Sequence, residues 1–280
     1  MGMSLPTAAR WVDRWEQQQQ RYAVDREERF TVIADVVEHV TTGRLNPRIL
    51  DLGCGPGSLP ARLSKRLPHA EIVAVDMDPL LLELARTRHP DAARYIETTI
   101  GTTGWIAGLQ LSGPLDAVVS TTALHYLPED ILRRTYVELT PLVRDGGVLI
   151  NADHLSQDGG ATTAEITAHV GHRRAERQQA YAHEDWESWW TAIEQEPELA
   201  ELLAVRRQRG VAHANGCALT VTRHLQLLRE AGFAQAGSVW QIGNSCVIVA
   251  IQERPTNGQA QPTARRTRRS ATGQPGNGRP

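Results

Sequence analysis

The stretch Asp51-Leu52-Gly53-Cys54-Gly55-Pro56-Gly57 follows an apolar run and precedes a helical pattern. Glycines at alternate positions let the backbone turn sharply and approach a ligand with no side chain between, and free N–H groups at the start of the next helix favour an anionic group. A pyrophosphate loop would read G-x-G-x-x-G, but the sixth position counted from Gly53 is Ser58, so spacing excludes that chemistry. Asp76 closes the next apolar run, 25 residues after Asp51, where a carboxylate can hydrogen-bond a ribose diol. The pair points to a nucleoside without a diphosphate. Ser120-Thr121-Thr122-Ala123-Leu124-His125 ends a later apolar run and Asp153-His154 follows another, which adds hydroxyls and imidazoles capable of proton transfer.

Bringing these groups together requires a parallel sheet. Apolar runs at 48–52, 71–76, 93–97, 115–120 and 147–152 alternate with helical patterns at 58–67, 79–88 and 129–143. That alternation predicts a doubly wound sheet, with ligands at the carboxyl ends of its strands. A helix over 220–233 leads to runs at 238–242 and 245–253, joined by the hairpin turn Gly243-Asn244. The expected fold class is therefore α/β: a doubly wound, mostly parallel seven-stranded sheet with a terminal antiparallel strand, plus a helical lid.

Outside that core, residues 9–40 carry Trp11, Trp15, Tyr22, Phe30, Ile33, Val36, Val37 and Val40 at helical spacing, one or two helices over the sheet. Residues 162–208 are charged and contain Trp186, Trp189 and Trp190 on neighbouring turns, expected as lid core. The domain reading is an N-terminal helical cap (1–45), a core (46–155 and 216–254), a lid insertion (156–215) and a basic tail (255–280).

The chain has 280 residues, 41% of them hydrophobic, with 30 basic and 32 acidic residues and a net charge of −2. The tail holds five arginines and no acid, so it carries about +5 and leaves about −7 for the body. An acidic body has no broad attraction for a polyanion, so nucleic acid is not the expected partner. No run approaches the roughly 18 apolar residues of a membrane span, and a cytoplasmic protein with no membrane partner is expected. Cys54, Cys217 and Cys246 are odd in number and far apart, which suggests neither a disulfide framework nor structural zinc. His169 and His172 share a helical face, but no third ligand is spelled beside them, and no metal is expected.

ILDLGCGPG resembles the first motif of class I S-adenosylmethionine-dependent methyltransferases, and VAVDMDP resembles their second. LDAVVSTTALHYLP is similar to their fourth-strand motif and LVRDGGVLINADHL to the fifth-strand region. The resemblance implies S-adenosyl-L-methionine as cofactor and a small-molecule methyl acceptor. It places Gly53, Cys54, Gly55 and Gly57 along the methionine part, with Asp51 orienting the loop or meeting the amino group. Asp76 would hold the ribose hydroxyls and Met77 would lie against the adenine. After the third strand the family commonly has an aspartate at the adenine amino group; this chain has Thr99, followed by Ile100. Ser120 and Thr121 would pass close to the sulfonium, and Tyr22, with Arg26, would either close over the cofactor from the N-terminal helix, as in relatives, or only pack.

Neither the N/D-P-P-Y/F motif of amino-methyltransferases nor a Pro-Cys nucleophile is present, which argues against a nucleobase acceptor. S-T-T-A-L-H looks like the small-molecule version, and the expected acceptor atom is a carboxylate or hydroxyl oxygen. Methyl transfer is an in-line displacement in which alignment matters most, and a base is needed only if the acceptor must lose a proton. His125 is the first candidate for that base or for a substrate contact, or else packs beneath the cofactor; His154, beside Asp153, comes second. Arg173, Arg174 and Arg177 of the lid either pair with a substrate carboxylate or form a solvated face. The alternatives are carbon or nitrogen methylation of a natural-product or 2-ketoacid substrate, a non-catalytic cofactor-binding partner subunit, and an RNA methyltransferase guided by the tail.

Overall fold

A computed structural model describes residues 3–211 and 219–253. The basic tail and Cys217 lie outside the described residues. The sheet strands are β1 (Arg48–Leu52), β2 (Glu71–Asp76), β3 (Arg94–Glu97), β4 (Leu115–Thr121), β5 (Val143–His154), β6 (Gln235–Ile242) and β7 (Ser245–Ile251). Their spatial order is β3-β2-β1-β4-β5-β7-β6. All pairings from β3 to β5 are parallel, and β7 runs antiparallel to both β5 and β6. The chain thus reverses direction across the sheet between β1 and β4, and the crevice beyond their carboxyl ends is where ligands bind in such sheets.

The strands are Ile, Val and Leu runs because both faces are covered. Alternation sends Leu50, Leu52, Val118 and Leu149 to one face, where they pack with Leu132 and Tyr136 of α5 (Glu129–Leu139) and Leu227 of α9 (Val221–Glu230). Ile49, Val119 and Ile150 point to the other, against Phe30, Ile33 and Val37 of α2 (Arg26–Val40) and Leu59 and Leu63 of α3 (Ser58–Arg66). The helix expected over 129–143 stops at Leu139, because Pro141 has no N–H to give the Val137 carbonyl. The strand expected from 147 begins at Val143 and carries its two glycines inside it.

The N-terminal segment forms two helices with different partners. While α2 packs on the sheet, α1 (Leu5–Tyr22) packs with α4 (Pro79–Arg88) and the lid helix α7 (Trp186–Ile193), and the lid helix α8 (Ala200–Gln208) packs on α4. The remaining lid helix is α6 (Ala161–Arg177). Trp189 is fully buried, edge-on to Trp11, Trp15 and Trp190 at 5.7, 5.0 and 4.9 Å. Polar ties reinforce the seam: Trp11 Nε1 donates to Glu196 at 3.0 Å, Arg14 Nε to Glu184 at 3.1 Å, and the Trp186 N–H to Tyr22 Oη at 2.9 Å. Trp189→Ala should therefore cost about 3–5 kcal/mol, read as a lowered urea midpoint, because the lid and α1 lose a shared anchor. Among the described residues no helix is long and apolar enough to cross a membrane.

Candidate active site

The loop after β1 carries the first group of site residues. Gly53 sits at φ +73°, and a Cβ there would lie 2.3 Å from the Cβ of Ala123, so the residue must be glycine for the β1 and β4 loops to meet. Gly55, at φ +53°, has only the Trp15 ring near its missing Cβ, at 3.8 Å. That open side faces a cavity of about 710 Å³, within the size range of small-molecule sites.

Of the residues expected at the cofactor, Gly53, Cys54, Gly55, Asp76, Met77, Thr99, Ile100, Thr121 and Tyr22 line this cavity. Three do not. Asp51 is fully buried below the loop, and neither of its carboxyl oxygens has a hydrogen-bond partner among the described residues. Gly57 turns away, its missing Cβ facing Tyr95 Oη at 2.9 Å and Ala85 Cβ at 3.2 Å, which lets the loop pack on α4 and β3. Ser120 is buried and donates to the Leu52 carbonyl at 2.9 Å, tying β4 to β1. Side-chain alternation explains Ser120: its neighbour Thr121 reaches the cavity, and residues adjacent in sequence point to opposite faces of a strand.

Asp76 shapes the loop directly. Its carboxylate accepts the Gly55 N–H at 2.8 Å and the Asp78 N–H at 2.9 Å. Burial pushes its pKa up to about 6, with those two N–H groups working in the other direction. Burial, and then the charge of Asp76, push Asp51 well above the usual carboxylate range. A cation placed beside the loop would favour the ionised form of both.

The two histidines expected to do chemistry both line the cavity, with different electrostatics. His125 lies in a short turn after β4, and its Nδ1 is 2.8 Å from Asp153 Oδ1. Asp153, fully buried on β5, also accepts the backbone N–H of His125 at 3.3 Å and of His154 at 2.8 Å. Burial opposes its charge, but the hydrogen bond and charge of His125 hold Asp153 below the usual carboxylate range. His154 has no such side-chain partner among the described residues. Burial and then the Arg29 charge push its pKa down to about 4, so it stays neutral near pH 7 and is a poor proton acceptor. Sequence order favours neither arrangement; the fold sends Asp153 to His125.

The roof holds Arg26, expected there with Tyr22, and three residues not expected at the cavity. Trp15, Gln19, Arg26 and Trp186 line the cavity from α1, α2 and α7. Asp78 caps the N-terminus of α4, accepting from Leu80 and Leu81, and its other oxygen receives Arg206 Nε of the lid at 2.7 Å. The Arg206 guanidinium lies 3.9 Å from the Trp190 ring centroid. The Asp78-Pro79 pair is a readable helix start, but its lid partner is not. In the lid, Arg173 pairs with Glu176 and Arg174 with Asp25, while His172 meets Tyr181 Oη at 2.9 Å and Glu176 at 3.1 Å.

Residues 49–147 match the family model described as a methyltransferase domain. Trans-aconitate 2-methyltransferase of Mycobacterium tuberculosis is 41% identical over 96 residues, 34% of this chain and 33% of that protein. An uncharacterized methyltransferase of the same species is 41% identical over 102 residues, 36% of this chain and 47% of that one. The matched segment thus spans less than half the length of these curated relatives. In solved structures the fold resembles an O-methyltransferase family protein from Burkholderia thailandensis (TM-score 0.51, 18% identity, 87% of this chain and 69% of that one). It also resembles the magnesium protoporphyrin IX methyltransferase of Synechocystis PCC 6803, solved with bound S-adenosylhomocysteine (TM-score 0.52, 14% identity, 86% and 94%).

Proposed function

With residues 49–147 forming a class I, S-adenosylmethionine-dependent methyltransferase domain, we propose that the chain transfers a methyl group to an oxygen atom of a small organic acceptor. The residues present fit the cofactor: an open cradle at Gly55, a carboxylate at Asp76 for ribose hydroxyls, and two carboxyls, Asp51 and Asp76, without a cationic partner among the described residues. When bound, the cofactor supplies a methyl group on a cationic sulfonium. Met77, Thr99 and Ile100 would enclose its base, with the Thr99 hydroxyl or a backbone group replacing the usual carboxylate.

The observation that carries the reading is the His125–Asp153 pair at the wall of the same cavity as the glycine loop. Asp153 fixes the ring through Nδ1, which leaves Nε2 as the nitrogen free to take a proton, the arrangement a hydroxyl acceptor needs as it becomes an ether. Trp15, Tyr22 and Trp186 border the same cavity and would shield the reacting atoms from water once cofactor and acceptor fill it. A second reading, a carboxylate acceptor, is supported by the name of the mycobacterial relative; His125 would then orient an oxygen that has no proton to lose.

Incubation with methyl-labelled S-adenosylmethionine and a panel of hydroxy acids and carboxylic acids, trans-aconitate included, tests both. Label that survives mild alkali and is located on oxygen by NMR of the product marks an ether and supports the hydroxyl reading, whereas label released as methanol marks an ester and supports the carboxylate reading. Label found only on carbon or nitrogen, or only on RNA or protein, overturns oxygen transfer to a small acceptor.

A further inference from the structure

A second cavity, of about 240 Å³, adjoins the first, and Tyr22 and His154 line both. Its other walls come from the link between α1 and α2, the lid helix α6 and the β6–β7 turn. The charged side chains of these walls meet one another at the cavity. Arg174 Nε donates to Asp25 Oδ1 at 2.7 Å, and His172 bonds Tyr181 Oη at 2.9 Å and Glu176 at 3.1 Å. Arg21 donates to the carbonyls of Tyr181 and His183 at 2.8 and 3.0 Å and has no ion pair among the described residues. Two guanidiniums on the lining thus stand against one carboxylate.

Two further observations point to a ligand. Ser245 lines the cavity at 7% exposure, and its Oγ has no hydrogen-bond partner among the described residues. It lies directly across the β5–β7 pair from His154, so both side chains leave the same face of the sheet toward the cavity they share. A hydroxyl buried without a partner is a cost that a bound anion would remove. Gly171, also on the lining, sits inside α6, where glycine weakens a helix. A Cβ built on it would meet no atom within 4 Å, so no neighbour among the described residues requires glycine there, and the missing side chain keeps the cavity open.

We propose that this second cavity is a specificity subsite for an anionic arm of the methyl acceptor: a carboxylate that enters past Tyr22 meets the charge of Arg21 and Arg174 and takes hydrogen bonds from Ser245 Oγ and the His154 ring. The inference rests on reading the larger cavity as the acceptor site. His125 lines only that larger cavity, so the reacting oxygen stays beside it while the arm occupies the smaller one. The substrate is then an acid with a second functional group, and the lid helix α6 helps to select it.

The test is calorimetric titration of the protein, saturated with S-adenosylhomocysteine, with trans-aconitate, citrate, glutarate and butyrate, in wild type, Gly171→Leu, Arg21→Gln and Ser245→Ala. The wild type should bind at least one of the three polycarboxylates about tenfold or more tightly than butyrate. Gly171→Leu fills the cavity from a helix that leucine favours, and it should abolish that preference with affinity for S-adenosylhomocysteine unchanged. Arg21→Gln keeps donors for the two carbonyls but loses the charge, and should weaken polycarboxylate binding by about tenfold or more. Ser245→Ala should weaken it by about three- to tenfold while its melting temperature stays equal or rises, because the variant no longer buries an unmet hydroxyl. If Gly171→Leu does not fold, the other two variants carry the test. A preference absent from the wild type, or unchanged in Gly171→Leu, overturns the subsite. Loss in Gly171→Leu with Arg21→Gln and Ser245→Ala both unchanged overturns its anionic character. A preference that all three variants weaken, with methyl label found only on carbon or nitrogen, leaves the subsite standing and overturns transfer to oxygen instead.

Discussion

Asp76→Ala should weaken S-adenosylmethionine binding by about a hundredfold or more in a calorimetric titration, because two charge-assisted hydrogen bonds to ribose hydroxyls, each worth about 1.5–3 kcal/mol, would be lost together. A second loss compounds the first. The same carboxylate holds the Gly55 N–H at 2.8 Å, so the loop that receives the ligand also loses its tether. The effect should depend on pH in a definite direction. With a pKa of about 6 in the free protein, Asp76 is ionised above that value and accepts hydroxyl protons; below it the carboxyl is neutral. Wild-type affinity should therefore fall as pH drops through 6, by roughly tenfold per unit, and the alanine variant should show a flatter profile over that range. Unchanged affinity in Asp76→Ala at pH 8 would remove Asp76 from the cofactor site.

His125→Gln should lower kcat for a hydroxyl acceptor by about 10²–10⁴-fold with cofactor affinity unaltered, the usual contribution of a positioned general base. Asp153→Asn should give a smaller loss together with a shifted acidic limb in the pH–rate profile, since the carboxylate acts on the reaction only through the ring it orients. His154→Gln separates the candidates. With its pKa pushed to about 4, His154 already sits neutral throughout the working range, so its loss should leave the pH profile in place and act on acceptor affinity. For a carboxylate acceptor the His125→Gln loss should shrink to about tenfold or less, because no proton has to leave.

Much of this site is legible in the amino-acid sequence. The glycine loop, the strand-end Asp76 and the closing hairpin are local signals: turn chemistry, strand period and fixed offsets that a chain obeys wherever it lies. The bounds of β1, β2 and α4 agree with the periodicity residue for residue. Arg29 marks the limit of local signals. It falls between Arg26 and Phe30 on the face of α2 turned to the sheet, yet a charged residue in a helical pattern reads as solvated until its burial is known. Ser120 and Gly57 mark the same limit in the opposite sense, sitting inside the right motifs but pointing away from the cavity.

The class of sheet, the cofactor loop and the rim from which chemistry would be done are thus written in the chain itself, since each follows from interactions among residues within a few positions of one another. Three outcomes come from tertiary packing: which histidine receives the buried Asp153, the locking of Trp189 of the lid against Trp11 and Trp15 of α1, and the burial of Arg29 on α2 with no hydrogen-bond partner for its guanidinium among the described residues. They depend on how faces separated by 28 residues in the first case, and by more than a hundred in the lid, come to pack. One-dimensional spacing carries no information about which of two neighbouring side chains ends on the inner side of such a contact.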